Sequence, residues 1–134
     1  MVGDATIPAA LCASDPRAQT FTPGLAQAGK AGFKALLLDM NPIPAAKGDN
    51  SWTVQIVDKD GNNVDGATIT VKTWMPDHGH ASSIIPLVTP VGSGGKYTVS
   101  RLNLFMPGIW QITLNLAMPG NVADSMMYTF CVGG

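Results

Sequence analysis

Two imidazoles separated by one residue, with a thioether just before them, are the side chains of this chain best suited to chemistry. They stand in Trp74-Met75-Pro76-Asp77-His78-Gly79-His80, which holds both histidines of the protein. A second stretch, Met106-Pro107-Gly108-Ile109-Trp110, repeats the Met-Pro pair and the tryptophan without the histidines. In an extended segment, residues two apart share a side, so His78 and His80 can reach one ion. Thioether sulfur is soft and imidazole suits copper, so a mixed Met/His set favours copper over harder cations. Zinc takes cysteine, histidine or carboxylate, and methionine serves it poorly. The candidate metal ligands are therefore Met75, His78 and His80. Met106 joins them on condition that its strand end lies beside that of Met75. The plain alternative for the same residues is a core-filling methionine at a strand end and a solvated turn.

Other chemistry finds little footing. There is no G-x-S-x-G nucleophile elbow. Gly95-Lys96 fails as a P-loop, because Tyr97 stands where Ser or Thr is needed and Pro90 where the first glycine belongs. Asp58-Lys59-Asp60-Gly61-Asn62 opens like a calcium loop, but Asn63 replaces the sixth-position glycine and Ile69 the closing glutamate. A hairpin turn accounts for it. No aspartate lies in an apolar run that would raise its pKa toward general-acid work. The expectation is a binding protein rather than an enzyme.

The elements that must position these residues read as strands. All nine acidic residues are aspartate, which prefers turns and caps, and glutamate is absent. Fifteen glycines and ten prolines punctuate 134 residues, enough for one domain with a sizeable core. Trp52, Val54 and Ile56 alternate with Thr53 and Gln55, and Ala67, Ile69 and Val71 alternate with Thr68, Thr70 and Lys72. Continuing the second phase turns Met75 inward and Trp74 to the wet side. Phe33 to Met40, Lys96 to Leu104, Ile109 to Leu116 and Ser125 to Val132 supply further strands. Ser82 to Val91, broken by Pro86 and Pro90, reads as an edge strand. The apolar set switches parity between Tyr97/Val99 and Leu102/Leu104, which predicts a β-bulge near Ser100–Arg101. About seven half-buried strands joined by turns predict an all-β, immunoglobulin-like antiparallel β-sandwich, with a barrel as the competing architecture.

Residues 1–31 show no period and read as an irregular leader or edge-covering arm, anchored by Phe21 and Leu25, with a short helical turn near Leu25–Gly29. Residues 32–134 form the sandwich domain. Only 13% of residues are charged and the net charge is −1, so no basic patch exists to hold nucleic acid. No apolar run approaches the ~20 residues of a membrane helix. Leu11 before Cys12 does not fit a lipoprotein cysteine. Cys12 and Cys131 lie near opposite ends of the chain, and the ends of a domain often meet. They form either a disulfide, which implies an oxidising compartment, or two separate buried thiols.

These features carry a resemblance. Asn50-Ser51-Trp52, Asp58-Lys59-Asp60-Gly61, Val64-Asp65-Gly66-Ala67, Met75-Pro76-Asp77-His78-Gly79-His80, Gly95-Lys96-Tyr97 and Met106-Pro107-Gly108-Ile109-Trp110 occur in an order that resembles the YtkA-like and FixH-like domains of bacterial extracytoplasmic proteins. The resemblance spans roughly residues 33–132. It implies a periplasmic or extracellular sandwich, membrane-tethered through a removed N-terminal segment and associated with copper handling. The implied partner is a copper-accepting or membrane protein. The alternative is a non-catalytic immunoglobulin-like interaction module that binds no metal.

Overall fold

The computed structural model describes residues 12–133. Eight strands form: β1 (Leu25–Ala28), β2 (Lys34–Asn41), β3 (Gly48–Val57), β4 (Thr68–Trp74), β5 (Leu87–Pro90), β6 (Lys96–Leu104), β7 (Gly108–Met118) and β8 (Val122–Val132). They build two antiparallel sheets, β1-β2-β3-β6-β5 and β4-β7-β8. The architecture is the expected immunoglobulin-like sandwich, with eight strands rather than about seven.

Alternation explains the inward faces. On β3, Trp52, Val54 and Ile56 are buried, and on β7 Trp110, Ile112, Leu114 and Leu116 are buried. On β4 the inward set is Ile69, Val71 and Thr73, followed by Met75 just past the strand end. Trp74 stays 45% exposed, on the wet side as its phase requires. At the centre, Trp52 packs perpendicular to Tyr128 and Phe130, each with its centroid 5.6 Å away. Among the described residues the Trp52 Nε1 hydrogen has no hydrogen-bond acceptor. Tyr128 Oη shares its one hydrogen between the carbonyls of Leu25 at 2.7 Å and Ala35 at 3.0 Å, which ties β8 to both β1 and β2 of the facing sheet. Burial pushes this phenol well above its ordinary pKa, so the hydroxyl stays a donor.

Two bulges set the registers. Asn50 pairs with Leu102 and Trp52 with Val99, so one residue of β3, Ser51, faces two of β6, Ser100 and Arg101. This is the bulge that the parity switch predicts, and Arg101 takes the left-handed backbone (φ 56°) that absorbs the extra residue. A second bulge lies in β2 between Leu37 and Asp39. It switches the buried set from Ala35 and Leu37 to Met40. The run Leu36-Leu37-Leu38 is apolar at every position and hides that switch from the sequence.

The segment before residue 32 contributes structure of its own. Leu25–Ala28 is a strand paired with β2, where a helical turn was expected. Its side chains alternate in exposure as a strand edge requires, and Leu25 and Phe21 pack on the core. Upstream, Cys12 is bonded to Cys131 of β8, so the two thiols are a disulfide. Gln19 runs against the β8 edge, its backbone N–H donating to Thr129 O and its side-chain oxygen accepting from Thr129 N, both at 2.8 Å.

Candidate metal-binding loop

The last rung between β4 and β7 joins Trp74 to Gln111. The next residue inward, Met75, is fully buried. Its backbone then closes a tight loop on itself. Met75 N–H donates to His80 O at 2.8 Å, while Met75 O accepts from His78 N–H at 3.2 Å and Gly79 N–H at 2.8 Å. Gly79 has φ 70°, the left-handed conformation that lets the chain return, and glycine adopts it without strain. Just beyond, Thr73 Oγ1 accepts from Ser82 N–H at 3.0 Å and holds the exit of the loop.

This closure brings the histidines together. Their ring centroids are 5.7 Å apart, with the planes tilted by 43°. The cause is a turn, where an extended segment was expected. His80 Nδ1 lies 3.3 Å from Ala81 O. A carbonyl only accepts, so this contact favours a hydrogen on Nδ1. The floor is Met75, whose methyl carbon lies 2.9 Å from where a side chain would begin on Gly108, with His78 Nε2 4.0 Å from the same point. The Met75 methyl and the His78 ring thus both border the backbone of Gly108, whose φ of 136° favours glycine.

Met106 belongs to the same end of the sandwich, because Gly108 opens β7 and β7 pairs with β4 in a register that ends at Trp74. It is partly buried against the core, and its carbonyl accepts from Trp110 Nε1 at 2.9 Å. Two aromatic residues outside the expected ligand set wall the loop. His80 stacks on Phe105 at 5.6 Å and meets Trp110 edge-on at 6.5 Å, and Phe105 and Trp110 contact each other at 5.7 Å. Trp110 stood in the Met-Pro-Gly-Ile-Trp motif but read only as core. Phe105 carried no local signal.

A third contributor comes from the arm. Arg17 Nη1 and Nη2 donate to the two carboxylate oxygens of Asp77, each at 2.9 Å, and Nε and Nη2 donate to Asp15 at 3.0 and 2.8 Å. The guanidinium hydrogen bonds hold Asp15 at a pKa of about 2 and Asp77 below its ordinary value. Nothing near residue 17 in the sequence announces a partner sixty residues on.

Among the described residues, no group of three or more His, Cys, Asp or Glu side chains is placed to hold a metal. Two imidazoles lie side by side instead. With metal–nitrogen bonds of about 2.0–2.1 Å, two imidazoles on one ion have centroids roughly 5–6 Å apart. The observed 5.7 Å fits that span. Asp58, the carboxylate of the calcium-like motif, accepts the N–H groups of Asn62 and Asp60 at 2.9 Å each and is consumed by its own turn. Those hydrogen bonds, that of Asn62 foremost, lower its pKa. Two surface clefts of about 630 and 550 Å³ lie elsewhere, one over Thr68, Thr70 and Asn115, the other between the arm and Pro42–Ala46.

Fold, disulfide and loop together define a small, disulfide-bonded antiparallel β-sandwich that presents a Met/His loop at one end of its smaller sheet. The model of the YtkA-like family matches residues 35–115, and the chain belongs to that family. The matched span contains Met75, His78, His80 and Met106, while Cys12, Arg17 and β8 lie outside it. Among curated proteins no sequence matches the chain. Membership in this extracytoplasmic family and the Cys12–Cys131 disulfide make it a secreted or periplasmic domain. Among the described residues no helix is long and apolar enough to cross a membrane.

Proposed function

We propose that this domain binds copper through Met75, His78, His80 and Met106, for delivery or buffering rather than catalysis. The observation that supports the reading is the pairing of two imidazoles, 5.7 Å apart, on the tight loop that Met75 opens. When bound, copper would take soft and borderline donors that retain it in an oxidising compartment yet exchange with an acceptor. The chain's own residues do the rest. The Ala81 carbonyl favours a hydrogen on His80 Nδ1, and Trp110 holds the Met106 backbone. Phe105 and Trp110 limit water at His80, which strengthens the remaining polar contacts there. The natural recipient is a copper-accepting protein, soluble or in the membrane, with the domain tethered near it.

The test is a Cu(I) titration of the wild type and of a His78→Ala/His80→Ala variant, with metal analysis of the purified protein. Wild-type binding at one equivalent that is lost in the variant supports the reading. Wild-type binding no tighter than that of the variant ends it. It would then favour the second reading, a non-catalytic interaction module without metal. That reading draws on the exposed apolar side chains Ile85, Leu87 and Phe105.

A further inference from the structure

Asp77 directly precedes His78 in the loop, and a His/His/carboxylate triplet is a donor set that zinc takes readily. Yet both of its oxygens face the Arg17 guanidinium in a fork-to-fork pair. Arg17 itself is not a loose surface side chain. It sits between two anchors of the arm, the Cys12–Cys131 disulfide and the Gln19–Thr129 hydrogen bonds. A turn between them, Asp15 N–H to Cys12 O and Ala18 N–H to Asp15 O, fixes its direction, and Asp15 braces the guanidinium from the other side. The arm thus delivers a cation to the one carboxylate within the Met/His loop.

We propose that Arg17 is a specificity-determining residue: by engaging Asp77 it withholds a carboxylate from His78 and His80, so the loop refuses zinc, which takes a His/carboxylate set. The proposal deepens the copper reading and rests on it for the identity of the ion admitted. Its own content, that Arg17 denies Asp77 to a metal, concerns the ion excluded. A cation already paired with the carboxylate offsets the charge that a divalent ion would need, and its departure costs two charge-assisted hydrogen bonds. Arg17 stands outside the matched family span, so the device belongs to this chain's arm rather than to the sandwich core.

The experiment compares Zn(II) and Ag(I) titrations of the oxidised wild type, Arg17→Gln and Arg17→Gln/Asp77→Asn, with amide exchange followed at His78, Gly79 and, as a core control, Val54. Arg17→Gln should bind Zn(II) about tenfold tighter than the wild type, the scale typical of changes just outside a metal's ligands. The double variant should fall back to the wild-type value, and Ag(I) affinity should change far less. Faster exchange at His78 and Gly79 in Arg17→Gln, with Val54 unchanged, is expected alongside. Zn(II) affinity equal to the wild type in Arg17→Gln, or a gain that survives Asp77→Asn, overturns the proposal. Should Arg17→Gln lose protection at Val54, Arg17→Met serves the same comparison, since it keeps an apolar stem but removes the charge. A wild type that fails to bind Ag(I) strikes the copper reading alone, because the Zn(II) comparison depends only on Asp77 and the two histidines.

Discussion

Arg17, Asp15 and Asp77 show how an exposed ion pair can matter by where it sits rather than by its strength. The guanidinium is 43% exposed and Asp77 53%, so water and salt screen the attraction. Its effect is positional: it joins the arm to the turn that carries both histidines. Asp15, ordinarily near 3.8, is held at about 2, and Asp77 is shifted in the same direction. For a carboxylate with a depressed folded pKa, the contribution is complete above the unfolded value and fades as pH falls through the folded one. Thermal melts of the wild type and Arg17→Gln should therefore differ by a constant amount above the carboxylate range. The gap should close as pH falls from about 4 toward 2, and shrink in 1 M salt. A gap that persists at pH 2 would show that Arg17 acts through something other than these carboxylates.

Among the elements, β6 is the one that chooses the architecture. Its bulge lets Tyr97 and Val99 face the core before the extra residue, and Leu102 and Leu104 after it. Without it, Leu102 and Leu104 would point outward, because a one-residue slip inverts every later side chain. The switch was legible because polar Ser100 and Arg101 separate the two apolar pairs. The matching bulge in β2 was not, since three consecutive leucines show no phase. Arg101 pays for its position with a left-handed backbone, φ 56°. Replacing it with glycine should raise stability by about 0.5–1 kcal/mol, because glycine adopts that region freely. Chemical denaturation midpoints of the wild type and Arg101→Gly check this, and a lower midpoint would mean that the arginine side chain does more at the bulge than its backbone costs.

Across the whole molecule, the disulfide closes nearly the entire chain. Cys12 and Cys131 are 119 residues apart in sequence and 5.5 Å apart at Cα. A loop of that size restricts the unfolded chain by about 4–5 kcal/mol in the entropy account. Denaturant unfolding with and without reductant should show a loss of that order, and Cys12→Ser/Cys131→Ser should match the reduced protein. The same bond fixes the base of the arm on β8, so the reduced protein should also lose protection at Gln19 before the core strands open.

Most of the strands with their inward faces, the β6 bulge and the inward turn of Met75 were determined by the sequence, whereas β1 and the phase switch in β2 were not. Each legible feature depends on local alternation, and the chain's low charge and dense turn residues leave few competing patterns. The proximity of His78 and His80 was legible as spacing, although a turn rather than an extended strand brings the rings together. Only the tertiary structure decided what surrounds them. Phe105 and Trp110 reach His80 because β6 and β7 end beside β4, and Arg17 reaches Asp77 because a disulfide and a β8 edge carry the arm across the end of the sheet. Such contacts leave no local trace. They depend on which strand ends the two-sheet packing places together, and pairing across sixty residues has no period to read.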